Sequence, residues 1–136
     1  MIPKVIHYCW FGGSELPEYV ERCIQSWKKF CPDYQIKRWD ESNYNFEKYP
    51  FCREAYEKKK WAFVSDVARL DIVYSEGGIY LDTDVELIKS LDDLLIEHAF
   101  MGFERGRLVA TGLGFGGEKG NPIIKANLES YLNRQF

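Results

Sequence analysis

The sequence has no long uninterrupted run of apolar residues. No stretch approaches the roughly 20 apolar residues that a membrane-spanning helix needs. The N-terminus, Ile2-Pro3-Lys4-Val5, leads directly into a strand-like run, without the basic and apolar regions of a secretory signal peptide. We therefore expect a cytoplasmic protein. Peripheral association with the inner face of the membrane is compatible with this expectation.

Cysteine and histidine are too few and too irregularly spaced to form a common zinc site. The four cysteines, at positions 9, 23, 31 and 52, form no C-x-x-C pair, and neither histidine lies at ligand spacing. We expect reduced thiols and no zinc. His7 is embedded in a strand-like run and is interpreted as structural, so no histidine stands out as catalytic.

An excess of positive charge is also missing. The chain has 18 Lys and Arg against 21 Asp and Glu, for a net charge of −3, and its basic residues are scattered. No basic face for nucleic-acid phosphates is predicted, so nucleic acid is not an expected partner. The one basic cluster, Lys58-Lys59-Lys60, is interpreted as a solvated helix end, with weak attraction to anionic lipid as the alternative.

The length and composition of the chain are typical of one globular domain. The chain has 136 residues, of which 46% are hydrophobic and 29% charged. We predict a single domain over 1–136. The sequence stops inside or just after a helical pattern, without a Gly or Pro stop signal, so we expect this domain to be incomplete at its C-terminus.

Apolar periodicity predicts alternating strands and helices. The helix over 62–75 has an apolar stripe that includes Phe63, Val67 and Leu70, and Gly77-Gly78 ends it with positive φ. Strand-helix-strand alternation favours an α/β fold with a largely parallel sheet. The predicted strands are 4–10, 34–39, 79–81, 99–103 and 113–115, with an extended piece at 85–88; the other helices begin near 14–17, 50 and 122, with a helical turn at 91–96.

Two carboxylates, Asp82 and Asp84, follow the short apolar strand in the sequence GGIYLDTD. Ligands of α/β proteins bind outside the carboxyl ends of the strands. Mg²⁺ and Mn²⁺ prefer oxygen ligands and leave coordination positions open for substrate phosphates. The pair therefore suits metal-bridged diphosphate binding, and the alternative is that the two side chains cap a loop or a helix.

Two further features could belong to the same site. Asp66 and Arg69 lie three residues apart and so on one side of the helix before this strand; alone, they would form a surface salt bridge. Trp10 ends the first strand before Gly12-Gly13. It is either a core aromatic or a flat surface for stacking on a nucleobase.

Three ordered motifs, IHYCWFGG from Ile6, SDVAR from Ser65 and GGIYLDTDV from Gly77, resemble the family 32 glycosyltransferases with a "DXD sugar-binding region". That group includes capsular polysaccharide transferases and initiating mannosyltransferases, and it is related to the glucosyltransferase domains of large clostridial toxins. The resemblance implies a GT-A-like, Rossmann-type fold with a mostly parallel sheet flanked by helices.

The resemblance also implies roles for donor-binding residues. Trp10 would stack on the base of the nucleotide-sugar donor. Asp66 and Arg69 would contact its ribose, sugar hydroxyls and diphosphate, and Tyr80 would border the same pocket. The segment 110–117, with Thr111, resembles the part of such enzymes that contacts the acceptor.

For the metal and the reaction, the resemblance implies that Asp84 binds Mn²⁺ (or Mg²⁺) directly. Asp82 would bind ribose and sugar hydroxyls and reach the metal through water. Asp82, Asp84 and Arg69 would then be the catalytic residues. Family members retain the anomeric configuration, and the cation and the arginine stabilise the charge that develops on the leaving diphosphate.

The implied function is transfer of a hexose from a UDP- or GDP-sugar to a glycan acceptor, lipid-linked acceptors included, in capsular or surface polysaccharide synthesis. A protein hydroxyl is the toxin-like alternative acceptor. A nucleotide-sugar-binding domain without turnover is a second interpretation. A haloacid-dehalogenase-type phosphatase is a third, but its pattern wants Thr or Val two residues after the second Asp, where this chain has Glu86.

Overall fold

The computed structural model describes residues 1–101 and 114–132 and confirms the α/β alternation. None of the helices in these two ranges is long and apolar enough to cross a membrane. The strands are β1 (Val5–Cys9), β2 (Gln35–Trp39), β3 (Gly78–Leu81), β4 (Ala99–Met101) and β5 (Gly114–Gly117), and the helices are α1 (Glu18–Phe30), α2 (Pro50–Glu57), α3 (Trp61–Glu76) and α4 (Pro122–Leu132).

The five strands form one sheet in the order β2-β1-β3-β5-β4. β1 runs parallel to β2 and to β3, whereas β5 runs antiparallel to both of its neighbours, β3 and β4. β5 is therefore the one reversed strand of the five, and the expectation of a mostly parallel sheet is confirmed. The carboxyl ends of β1, β2 and β3 meet at one edge, where ligands bind in sheets of this kind.

Alternating side chains along the strands build a core on each face of the sheet. Ile6 and Tyr8 of β1 pack against α1, where Trp27 is fully buried and meets Tyr8 edge-on with ring centroids 5.7 Å apart. Cys9 and Tyr80 point to the opposite face and pack against α2, α3 and α4. The strand period of two thus places α1 alone on one face and three helices on the other.

One sequence expectation needs detail and another needs correction. Residues 85–88, predicted as an extended piece, join no strand ladder, and Leu87 alone among them makes an isolated bridge. Val85 and Leu87 are nevertheless buried, and their neighbours in the sequence are exposed. The alternation of apolar residues therefore indicates which side chains are buried, but not whether the segment pairs with a sheet. Phe63 is 46% exposed, whereas its neighbour Val64 is fully buried. The predicted stripe is wrong there because the sheet and the two helices that pack against α3 cover Val64 and Val67, whereas Phe63 in the first turn lies outside this packing.

The segment between β2 and α2 is fastened to α3 by the buried carboxylate of Asp71, whose side chain is 6% exposed. Its oxygens accept hydrogen bonds from Tyr44 Oη at 3.0 Å and Tyr49 Oη at 3.3 Å, and Lys48 Nζ lies 3.1 Å away. These donors provide the hydrogen bonds without which burial of the Asp71 carboxylate would cost considerable free energy. The segment is therefore held in place although it contains no strand.

The turn between α2 and α3 places Lys59 in the left-handed region, with φ of +57°. The amides of Lys59 and Lys60 donate to the carbonyls of Tyr56 and Ala55 at 2.9 Å each, which is the Schellman pattern. Glycine is favoured at this position because a Cβ is strained there. We expect Lys59→Gly to raise the free energy of unfolding in urea by about 1 kcal/mol.

Lys58→Gly is the matched control for this prediction. Lys58 has φ of −88°, which any residue adopts, so glycine there adds only backbone entropy to the unfolded chain. We expect this control to lower the stability by about 0.5–1 kcal/mol. A loss of stability in both variants would contradict the strain assigned to Lys59.

Candidate functional site

A cleft lies at the carboxyl edge of the sheet, between the turn after β1, the start of α3 and the turn after β3. Its volume is about 520 Å³, within the roughly 300–1,000 Å³ of small-molecule sites. The residues that line it are Cys9, Trp10, Phe11, Ser14, Tyr19, Trp61, Ala62, Ser65, Arg69, Tyr80, Asp82, Thr83 and Asp84.

The two carboxylates after β3 lie in a tight turn that α1 holds from behind. The Val85 amide donates to the Asp82 carbonyl at 3.1 Å, which closes the turn. Trp27 Nε1 of α1 donates to the Val85 carbonyl at 2.8 Å, and Ser26 Oγ accepts from the Leu87 amide at 2.9 Å. Asp84 is therefore carried, solvent-exposed, on a turn whose far end is fixed to the core.

Arg69 connects the side chains that the sequence motifs single out. Its Nη2 lies 3.0 Å from Asp66 Oδ1, and its Nη1 lies 3.3 Å from Asp82 Oδ1. Its Nε donates to the Ser65 carbonyl at 3.1 Å, and its guanidinium carbon lies 5.1 Å from the centroid of the Tyr80 ring. The pair on α3 is thus more than a surface salt bridge, because it extends to the first carboxylate after β3.

The charges of this cluster are unbalanced. Burial raises the pKa of Asp82, and the nearby Asp84 and Asp66 raise it further against the opposing effect of Arg69. Burial would lower the pKa of Arg69, but Tyr80, Asp82 and Asp66 outweigh it and the pKa is raised. The guanidinium stays charged and pairs with two carboxylates, Asp66 and Asp82, while Asp84 adds a third negative charge beside Asp82. The cleft therefore favours an additional cation.

Asp82 and Asp84 fit a divalent metal ion by their chemistry. Among residues 1–101 and 114–132 there is no group of three or more His, Cys, Asp or Glu side chains that could enclose a metal. Two carboxylates at an open cleft instead match the way Mg²⁺-type ions bind, with few protein ligands and the phosphates of a substrate. The geometry thus suits a cation that arrives with its ligand.

Two tryptophans, Trp10 and Trp61, also line the cleft. Trp10 is half-buried against the core, and its Nε1 donates to the Ser14 carbonyl at 3.0 Å. Trp61 begins α3, and its indole covers Gly12, where a Cβ would lie 2.7 Å from Trp61 Nε1. With φ of +102° as well, Gly12 tolerates no side chain. These two indoles give the cleft flat aromatic walls.

The floor of the cleft is neutral. Burial raises the pKa of the Cys9 thiol to about 12, and burial together with Cys9 and Asp82 raises the pKa of the Tyr80 hydroxyl well above its ordinary value. Neither group ionises near neutral pH, so Cys9 is no nucleophile. The Tyr80 ring instead supports the Arg69 guanidinium from below and packs on Phe115 at a centroid distance of 5.8 Å.

His7 lies in the core beside β2 and β3. Its Nδ1 accepts from Trp39 Nε1 at 3.1 Å, which leaves Nε2 as the donor to the Gly77 carbonyl at 2.8 Å. Burial lowers the pKa of His7. A buried, neutral and fully bonded imidazole fits the structural interpretation.

The predicted site residues lie together. Trp10, Arg69, Tyr80, Asp82 and Asp84 all line the cleft, and Asp66 contacts it through Arg69. Thr111 lies outside the described residues. The sequence motifs do not single out Trp61, Thr83 or Tyr19, which also line the cleft. For Trp61, the available signal is an aromatic residue in the first turn of the helix that leads to β3.

Comparison with known proteins identifies a family and several relatives. Residues 17–101 match the family described as "Glycosyltransferase sugar-binding region containing DXD motif". "Inositol phosphoceramide mannosyltransferase 3" of Schizosaccharomyces pombe is 35% identical over 122 residues, which cover 77% of this chain and 34% of that protein. "Mannosyl phosphorylinositol ceramide synthase SUR1" of Saccharomyces cerevisiae is 33% identical over 105 residues, covering 74% and 27%. The chain thus spans between about a quarter and a third of the length of these relatives.

The fold agrees with a solved structure. The chain described as "PaToxG Glycosyltransferase" superposes with a TM-score of 0.68 and 22% sequence identity, covering 94% of this chain and 58% of that one. At this identity the likeness concerns the fold alone. It confirms the expected GT-A-like arrangement of a mostly parallel sheet with flanking helices.

Proposed function

Because the chain belongs to the glycosyltransferase family whose sugar-binding region contains a DXD motif, we propose that it binds a UDP- or GDP-sugar and transfers the hexose with retention of configuration. The observation that carries the proposal is the contact of Arg69 with both Asp66 and Asp82 at the edge of the cleft. It joins two motifs that are separate in the sequence into one charged group beside an aromatic pocket.

The residues that line the cleft support a direction for the donor. We assign the planar base to Trp10 and Trp61, whose part of the lining is called the aromatic end, because stacking needs only a flat face. Arg69, Asp82 and Asp84 form its charged end, which suits the diphosphate and the sugar hydroxyls. In this arrangement Asp66 and Asp82 accept hydrogen bonds from ribose or hexose hydroxyls while Arg69 faces the phosphates.

Asp84 would hold the metal directly, and Asp82 would reach it through water. When bound, Mn²⁺ or Mg²⁺ would neutralise the charge that develops on the leaving diphosphate. Asp84 suits direct binding because it is exposed on the turn, whereas one oxygen of Asp82 already faces Arg69 at 3.3 Å. The different surroundings of the two carboxylates thus favour different roles for them.

The residues of the cleft suit a reaction without a protein base. The bond between the sugar C1 and the diphosphate oxygen breaks, the acceptor oxygen bonds to C1 on the same face, and its proton passes to the leaving diphosphate. Arg69 stabilises the departing negative charge from a position fixed by Asp66, Asp82 and Ser65. Cys9 and Tyr80, both neutral, only form the floor.

The names of the relatives favour mannose as the hexose and a lipid-linked acceptor. We propose a glycan or lipid acceptor, with the capsular role and a protein hydroxyl as alternatives that acceptor assays would separate. Action at the cytoplasmic face of a membrane is part of this proposal. The family match favours transfer over the phosphatase interpretation of Asp82 and Asp84.

Calorimetric titration with UDP and with GDP, each with and without Mn²⁺, tests the proposal. We expect binding of one nucleotide that is strong only with the metal, which would also identify the donor base. Donor hydrolysis or transfer by the full-length protein would then separate an enzyme from a binding domain without turnover. Failure of the folded protein to bind either nucleotide with metal would contradict the proposal.

Trp10→Ala tests the aromatic end of the cleft. Loss of one stacking face is expected to weaken nucleotide affinity about 10- to 100-fold, since base-aromatic stacking contributes roughly 1–3 kcal/mol per base. The requirement for Mn²⁺ should remain, because such hard cations take oxygen ligands and an indole supplies none. Circular dichroism is the control, and an unfolded variant would instead support the core-aromatic interpretation of Trp10.

A further inference from the structure

The polar loop after β2 supplies a side chain, Glu41, that contacts the backbone of the cleft wall without lining the cleft. Glu41 Oε2 accepts a hydrogen bond from the Gly12 amide at 2.7 Å, across 29 residues of sequence. Gly12 belongs to the turn that follows Trp10, and Glu41 itself does not line the cleft. Its carboxylate therefore acts on the wall of the site and not on a ligand.

The same carboxylate oxygen also bonds to the helix pair on the other side. Tyr56 Oη of α2 donates to Glu41 Oε2 at 3.3 Å. The Tyr56 ring meets the Trp61 ring edge-on, with centroids 5.2 Å apart, and its opposite side stacks on Phe46 at 3.8 Å. Tyr56 is thus fixed in orientation by two aromatic neighbours and one hydrogen bond.

The contact between Trp61 and Gly12 closes a ring of four residues. Trp61 lies against Gly12 so closely that no Cβ fits between them. Glu41 holds Gly12, Gly12 contacts Trp61, Trp61 contacts Tyr56, and Tyr56 donates back to Glu41. Two members of this ring determine the aromatic lining of the cleft. Trp61 is itself a lining residue, and Gly12 lies in the same turn as the lining residue Trp10.

The segment that carries Glu41 is itself anchored. Tyr44 and Lys48, a few residues further on, bind the buried Asp71 of α3. Asn43 Nδ2 donates to the Arg38 carbonyl at 2.9 Å, which ties the start of the loop to β2. Glu41 therefore acts from a fixed support, and its bond to Gly12 can set the position of the turn.

We propose that Glu41 is a positioning residue that fixes the distance between the Trp10–Gly13 turn and Trp61, and with it the width of the nucleobase pocket. This inference depends on the proposed function, because it assigns the base to the aromatic end of the cleft. The Gly12 amide donates to Glu41 at 2.7 Å, the length of a strong charge-assisted hydrogen bond, and the longer Tyr56 contact at 3.3 Å adds a weaker one. Its loss frees the glycine turn, which has no side chain of its own to pack.

Glu41→Ala, Glu41→Gln and the control Glu47→Ala test the inference by titration of the full chain with UDP or GDP and Mn²⁺. We expect Glu41→Ala to weaken nucleotide affinity about tenfold, with an unchanged ratio of affinities with and without metal. Glu41→Gln keeps one acceptor oxygen and should recover most of the affinity. Glu47 is exposed in the same loop and its substitution should change nothing.

A second measurement does not need a ligand. In ¹H–¹⁵N spectra, the Gly12 amide should exchange faster with solvent in Glu41→Ala than in the wild type, with Glu47→Ala unchanged. If Glu41→Ala leaves both nucleotide affinity and Gly12 exchange unaltered, the inference is wrong while the proposed function stands. If the wild type binds neither nucleotide, the proposed function fails, and unaltered Gly12 exchange would then overturn the positioning role as well.

Discussion

Asp84→Asn is expected to weaken metal-dependent nucleotide binding about 100-fold or more, since loss even of an indirect metal partner commonly costs 10- to 100-fold. Asn keeps the shape of the side chain and one oxygen but removes the charge that attracts the cation. Binding without metal should be unchanged or slightly stronger, because one carboxylate fewer repels the phosphates. Calorimetric titration of the preferred nucleotide, with and without Mn²⁺, measures both effects.

Asp93→Asn is the matched control for this experiment. Asp93 is also an exposed aspartate after β3, in the 3₁₀ turn Asp92–Leu94, and it does not line the cleft. Its substitution changes the net charge by the same amount without touching the site. Equal and small effects of the two substitutions would remove Asp84 as a metal ligand.

The local parts of the fold could be predicted from the sequence because neighbours along the chain determine them. Gly77, with φ of +75°, ends α3 as its position after the last apolar turn predicts, and its amide donates to the Val73 carbonyl at 2.8 Å. The apolar run after it forms β3 and delivers Asp82 to the edge of the sheet. Such signals need no knowledge of tertiary packing.

The errors arise where tertiary packing decides. The run 85–88 alternates in burial as a strand would, but it joins no strand ladder, and two of its backbone groups bond to side chains of α1, Trp27 and Ser26. No periodicity distinguishes a segment held by a helix from one held by a sheet. The prediction of Phe63 on the apolar stripe is wrong for a related reason, since the sequence does not tell how many elements cover α3.

The site also contains both kinds of feature, those that local sequence predicts and those that depend on tertiary packing. Helical spacing alone predicts that Asp66 and Arg69 share a face, whereas the contact of Arg69 with Asp82 depends on how α3 packs against β3. Glu41 is visible in the sequence only as part of a polar loop, because its partner Gly12 is 29 residues away. A residue that positions the wall of a pocket without lining it has no local sequence signal, because its hydrogen bonds are to backbone groups that are distant in the sequence and close only in the folded protein.

The position of Arg69 suits the electrostatic role that we propose for it. It is 19% exposed, rests on the Tyr80 ring and is held by Asp66, Asp82 and the Ser65 carbonyl. A donor group fixed in this way needs no reorganisation when charge develops on a leaving diphosphate. In the proposed reaction, Asp66 and Asp82 would therefore have two roles: they hold the Arg69 guanidinium in place, and their remaining oxygens accept from sugar hydroxyls.

Arg69→Lys should consequently reduce the rate of transfer or donor hydrolysis by about 10²–10³-fold, the range seen when one fixed electrostatic donor is removed. Lysine keeps the charge but cannot bond to two carboxylates through a planar fork. Nucleotide affinity should fall much less than the rate at saturating donor, because the metal and the aromatic walls remain. Arg53→Lys, on the exposed side of α2, is the control. Full activity of Arg69→Lys, or equal losses in both variants, would show that the contacts around Arg69 serve stability and not the reaction.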